Sequence, residues 1–248
     1  MVADGVGGWN NVGVDPSAYS KRLCELISTN FLEINNLVED QATNLDKMNE
    51  NFVKNLIVKS VLENKERGSS TVCVLYMDNF NNTVYSGYLG DSCYLIARPR
   101  GVGDFEIIFK SKEQTHGFNI PYQVGSEGDD PRLAITYSHN VIKDDIVILA
   151  TDGLWDNIEV ENIIQELNLF SNKANSITIN AIDFAKLLSK KAEELSYKID
   201  YFSPFARRAL EYNKNLKKLR GGKPDDITVI VAQISEHVKK NEFSEIPH

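Results

Sequence analysis

At 248 residues, with 42% hydrophobic and 25% charged, the chain has the size and composition of one large globular domain with a substantial core. Its formal net charge of −8 argues against non-specific binding to nucleic acid or anionic membrane, whose phosphates an acidic surface repels. Cys24, Cys73 and Cys93 form no CxxC pair, the histidines show no HExxH spacing, and no apolar run reaches membrane-span length. Buried, reduced thiols and an intracellular compartment are therefore expected.

Val2-Ala3 reads as a strand end entering a glycine-rich turn over Asp4 to Gly8. A helix is expected from Asp15-Pro16-Ser17, where capping and first-turn proline chemistry coincide, with Tyr19, Leu23, Leu26, Ile27 and Ile34 at near-helical spacing. A second amphipathic helix is expected at about 46–66, with Phe52, Val53, Leu56, Ile57 and Val61 on its apolar face. The pattern then changes to strands: 70–77, a turn at 78–82, and a hairpin partner at 83–89 that delivers Gly90-Asp91-Ser92. Further strands are expected at 93–97 and 105–109. The loop-like stretch 112–130 is long enough to suggest functional use.

A fully apolar strand at 146–151 ends in Asp152-Gly153, and helices are expected at 160–170 and 179–195. An irregular segment containing Ser203-Pro204-Phe205 and a last buried strand at 227–234 complete the pattern. Runs of antiparallel strands with helix pairs between them indicate layered α+β packing in one domain, residues 1–235, followed by a polar tail at 236–248.

Four aspartates stand in small-residue turns beside apolar runs: Asp4 in VADGVGGW, Asp91 in LGDS, Asp152 in LATDGLWD and Asp225 in GGKPDDITVIV. Carboxylates at the ends of hydrophobic strands are costly unless a cation neutralises them. Repetition of the device suggests one shared cation site, and hard oxygen donors suit Mg²⁺ or Mn²⁺. Plainer readings exist for each residue. Asp-Gly is commonly just a turn, Asp225-Asp226 can be a solvated turn, and Asp156 is best read as a cap for the helix that follows. Capping suits Asp152 less well, because that helix is expected to begin several residues later. A phosphate-cradling loop at GVGGWN matches neither common glycine fingerprint, and an acid at its head would repel phosphate.

Taken together, ADGVGGW, STVCVLYM, LGDS, ATDGLWDNI and GGKPDDITVIV resemble the metal-dependent protein serine/threonine phosphatases of the 2C type, over nearly the whole chain from Val2 to Ile234. The VADGVGGW opening, with GFNIPYQ and SPFA, is closest to a small-phosphatase branch whose members are often mitochondrial or plastidic. The resemblance implies a layered α-β-β-α sandwich of mainly antiparallel sheets. It also implies a centre of two Mn²⁺ or Mg²⁺ ions and hydrolysis of phosphoserine and phosphothreonine by an activated water. On it, Asp4 bridges both ions, the Gly5 carbonyl serves the second, Asp152 and Asp225 complete the first, and Asp91 serves a weaker third. Asp226 stands outside the ion contacts. A phosphoprotein substrate, a monomer and a mitochondrial matrix location are implied as well.

Two departures temper this pattern. Val6 stands where many relatives carry a histidine that acts as general acid. The family's upstream acidic pair and phosphate-binding arginine have no counterpart, since Met1 lies three residues before Asp4 and Glu39-Asp40 falls between helices. An N-terminally truncated phosphatase is thus expected, and the alternative is a catalytically weak or inactive pseudophosphatase that serves as a binding module.

Overall fold

The computed structural model describes residues 1–39, 49–216 and 219–236. Helices α1 (Pro16–Glu39) and α2 (Glu50–Glu63) come first. The Asp15 carboxylate accepts from Ser17 N at 2.9 Å, and the Asn49 side chain accepts from Asn51 and Phe52, so each helix starts on a side chain that satisfies free backbone donors. The 46–48 portion of the second expected helix lies outside the described residues, as does the tail after Glu236.

The strands β1 (Ser69–Ser70), β2 (Val72–Asp78), β3 (Thr83–Leu89), β4 (Cys93–Gly101) and β5 (Asp104–Lys110) follow. The expected loop at 112–130 contains three short strands, β6 (Thr115–Gly117), β7 (Ile120–Pro121) and β8 (Val124–Gly125). Strand β9 (Ile135–Asn140) had no counterpart in the expected elements, because its sequence ITYSHN is too polar to read as apolar alternation. Then come β10 (Ile146–Ala150), a single-turn helix α3 (Asp152–Trp155), and helices α4 (Val160–Ala174), α5 (Ala181–Ser196) and α6 (Pro204–Tyr212). The segment expected to be irregular around Ser203-Pro204-Phe205 is the start of α6: Ser203 Oγ accepts from Ala206 N at 3.0 Å and Pro204 occupies the first turn.

The last strand, β11 (Val229–Gln233), is at the edge of a four-stranded antiparallel sheet ordered β11-β10-β4-β5. Its apolar run suggested full burial, but an edge position leaves one face half exposed, and Ile230 is 40% exposed. A second antiparallel sheet is ordered β2-β3-β9.

Alternation along β4 and β10 decides how these sheets stack. Cys93, Leu95, Ala97, Ile146, Ile148 and Ala150 pack against Ile163 and Leu167 of α4 and Phe184 and Leu188 of α5. Their neighbours Tyr94, Ile96, Val147 and Leu149 point the other way, onto Cys73 and Tyr88 of the second sheet. That sheet's outer face, with Val72, Val74 and Leu89, packs on Tyr19, Leu23 and Ile27 of α1 and Val53, Leu56 and Ile57 of α2. The result is the expected α-β-β-α order. Each fully buried aliphatic side chain contributes about 1.5–3 kcal/mol. The two sheets deliver their strand ends to one edge of the sandwich, and that edge carries the site.

Candidate active site

Asp4 is fixed through its backbone. Its carbonyl accepts from Thr71 N at 2.9 Å and Ser70 Oγ at 2.8 Å, and its N–H donates to Thr71 Oγ1 at 3.2 Å. Thr71 Oγ1 lies 2.7 Å from Ser92 Oγ, so the Asp4 turn is tied to the turn after β3 that carries Asp91. Gly5 follows with Val6 N bonded to Ser69 O at 3.0 Å. A Cβ at Gly5 would lie 2.2 Å from Pro16 O, so only glycine lets the turn run this close to the start of α1.

Asp152 opens α3 directly after β10, with Thr151 as the flanking residue; this short helix was not among the expected elements, and the helix expected at 160–170 begins at Val160 as α4. Thr151 N donates to Thr228 O and Thr228 N donates to Thr151 Oγ1, both at 3.1 Å, which joins this turn to the segment carrying Asp225. A Cβ on Gly153 would meet Asp226 O at 2.4 Å, so this glycine too permits a close backbone approach.

Asp4, Asp91, Asp152 and Asp225 line a single cavity of about 350 Å³, together with the Gly5–Gly8 turn, Asn119 and Lys223. Larger clefts of about 730 and 760 Å³ exist beside α5 and α2. Size does not select the site; charge does. Burial pushes the Asp4 carboxyl from 3.8 up to about 8, helped by Asp152, Asp225 and Asp91. Burial likewise raises Asp91 to about 8, with Asp152 and Asp156 adding to it and Lys223 opposing. Two of these carboxyls resist ionisation, so the cavity holds a surplus of acidic groups that can all charge only beside a cation.

Lys223 answers part of that surplus. Its Nζ lies 2.8 Å from Asp156 Oδ2 and 2.9 Å from Asp225 Oδ2, and it also contacts Asp152. Burial works to lower the lysine's pKa, but Asp156 and Asp152 outweigh it and the net direction is upward, so it is a permanent ammonium. Asp156 in turn pairs with Arg208, which reaches Glu113 Oε1 at 2.8 Å. The expected capping role of Asp156 is therefore corrected: Glu159 flanks α4, and the buried Asp156 carboxylate serves two cations instead.

Sequence reading missed Lys223, Asn157 and Arg208. Lys223 had a visible signal, a lone cation inside GGKPDD. Asn157 grips the same loop, donating to Lys223 O and accepting from Lys223 N, each at 2.8 Å. Its pairing spans 66 residues and no local pattern announces it. Asp226 does not line the shared cavity; it borders the cleft between α5 and β11. Among the described residues no group of three or more His, Cys, Asp or Glu is spaced to hold a metal ion as it stands.

No family model matches the chain. It is 36% identical over 95% of its length to the protein phosphatase PTC7 homologues of Xenopus laevis and Homo sapiens, covering 76% and 75% of those proteins. The chain belongs to the 2C-type protein serine/threonine phosphatases, in the PTC7 group.

The solved structure of the photosystem II phosphatase PBCP is similar to this phosphatase with a TM-score of 0.76 and 28% identity, over 94% of this chain and 86% of that one. The catalytic domain of the serine/threonine phosphatase PstP, solved with two manganese ions, shares the fold at a TM-score of 0.53 and 16% identity, over 94% and 86% of the two chains. No helix among the described residues is long and apolar enough to cross a membrane.

Proposed function

We propose that this phosphatase removes phosphate from phosphoserine and phosphothreonine in proteins with the help of two Mn²⁺ or Mg²⁺ ions. The carrying observation is the meeting of Asp4, Asp91, Asp152 and Asp225 in one cavity, where burial and mutual repulsion raise Asp4 and Asp91 to about 8. The donor set fits hard divalent cations, since it is made of carboxylate and carbonyl oxygens with no sulfur or imidazole.

Asp4 and the Gly5 carbonyl would hold both ions, Asp152 and Asp225 would complete the first, and Asp91 would serve a third. Such ions supply Lewis acidity towards a phosphoryl oxygen and a water acidic enough to act as nucleophile. The chain's own part is orientation: the Thr71–Ser92 and Thr151–Thr228 hydrogen bonds hold the strand ends in register. Asn119 and Pro121, from the β6–β7 hairpin, wall the cavity. Val6 cannot donate a proton, so a leaving alkoxide takes its proton from another group or from solvent.

Family membership favours this enzyme over the binding-module alternative. Turnover of a phosphoserine peptide with Mn²⁺ tests the reading, comparing wild type with Asp4→Asn and Asp152→Asn. Unchanged turnover in both variants would refute it. One phosphatase domain at 1–235, a monomeric state and a mitochondrial location belong to the same proposal. Limited proteolysis, sedimentation and fractionation of cells carrying the tagged natural protein test those points.

A further inference from the structure

We infer that Lys223 is a tethered counter-ion that occupies the carboxylate site until a divalent cation displaces it, and that it thereby sets the ion affinity of this phosphatase. The inference rests on the proposed roles of Asp152 and Asp225 as ion ligands.

The geometry makes ammonium and ion compete. Nζ contacts Asp152, Asp156 and Asp225, so two of its three partners are proposed ligands. An ammonium has only donors and cannot share a lone pair with a metal ion, and two cations at that spacing repel strongly in a buried setting. Entry of an ion onto the Oδ2 atoms that Nζ holds therefore requires Nζ to leave Asp152 and Asp225.

A retreat is built in. The backbone of Lys223 is held by Asn157 through two hydrogen bonds of 2.8 Å, so displacement needs only the flexible four-carbon stem to swing. Asp156 stands outside the proposed ligand set and already lies 2.8 Å from Nζ. The face of the Phe205 ring is 5.5 Å from Nζ, within cation–π range. Between Asp156 and Phe205 the ammonium keeps a counter-charge after an ion arrives. Without the lysine, the metal-free site would hold unbalanced carboxylates, which lowers its stability and raises its appetite for cations.

Calorimetric titration of Mn²⁺ into the metal-free full chain, with thermal melting in chelator and in saturating Mn²⁺, tests this. The proteins are wild type, Lys223→Met, Lys223→Gln and the charge-conserving Lys223→Arg. The two neutral variants should bind Mn²⁺ at least ~10-fold more tightly than wild type, because a unit positive charge within contact distance of the ligands is gone. Their metal-free melting temperatures should fall below wild type, and saturating Mn²⁺ should close most of that gap. Lys223→Arg should stay within about threefold of wild type. Equal or weaker Mn²⁺ affinity in whichever neutral variants fold, or equal tightening in Lys223→Arg, overturns the counter-ion role and leaves the ion site standing. Absence of Mn²⁺ binding in wild type and variants alike overturns the ion site and this inference together.

Discussion

Two buried polar clusters sit in this sandwich and behave in opposite ways. Between the sheets, Ser86 Oγ, Tyr94 Oη and His139 Nε2 form a chain of hydrogen bonds of 2.7 Å each, packed among Tyr88, Phe109 and Tyr137. Burial keeps His139 below its ordinary pKa, so the chain is neutral and satisfied from within. At the sheet edge, Asp4, Asp91, Asp152 and Asp225 share a cavity with a single ammonium, and burial makes charge on Asp4 and Asp91 expensive. A polar cluster that balances itself holds the sheets together. One crowded with acidic groups that burial keeps from charging has room for a cation from outside, and the proposed active site rests on that need.

The comparison can be broken at either end. The largest effect is expected in the charged cluster. Asp152→Asn should lower Mn²⁺-supported turnover by roughly 10²–10³-fold, the scale of losing one electrostatic group that acts on the transition state. Steady-state assay on a phosphopeptide reads it, and loss below about tenfold would remove Asp152 from the centre.

Next comes the backbone that brings Asp152 to Asp225. Gly153→Ala places a methyl 2.4 Å from Asp226 O and should cost about 1–3 kcal/mol, the range for overpacking, with weaker Mn²⁺ binding. Urea unfolding with and without Mn²⁺ measures both effects.

A smaller effect belongs to the neutral cluster. Tyr94→Phe removes the shared hydroxyl, strands His139 Nε2 and leaves Ser86 only its longer bond to Tyr137 O, at a cost of about 1–3 kcal/mol. Turnover per folded molecule in saturating Mn²⁺ should not change. If it falls as far as in Asp152→Asn, the division between structural and functional clusters fails.

The last prediction is a slope. In the metal-free folded chain Asp4 and Asp91 keep their protons up to about pH 8, whereas they ionise near 3.8 when unfolded. The folded state thus binds more protons across that window, and metal-free stability should fall as pH rises from about 4 to 8. A bound divalent ion favours the charged carboxylates and should flatten or reverse the fall. Melting temperatures measured across this range with chelator and with Mn²⁺ decide it.

Much of the fold was legible because local chemistry and tertiary packing agree. Asp15-Pro16-Ser17 announces α1 through a cap that forms, and the Thr83–Leu89 hairpin follows from apolar alternation around a turn at Asp78, whose carboxylate accepts from Phe80 N at 2.8 Å. Where they diverged, the deciding partner was remote. Strand β9 is polar in sequence, yet it pairs with β3 in register from Tyr88↔Ile135 to Thr83↔Asn140. Strand β11 is apolar in sequence and nonetheless lies at an edge.

The site divides along the same line. Asp4, Asp91, Asp152 and Asp225 were readable because one device, a carboxylate in a small-residue turn beside an apolar run, recurs four times, although each alone also reads as a turn. The sequence alone suggested that these acids share a cation. Only the tertiary structure decided that Lys223 stands among them, that Asn157 fixes its loop and that Asp156 faces two cations. Those pairings join residues tens of positions apart, and charge acts through space, where distance along the chain carries no information.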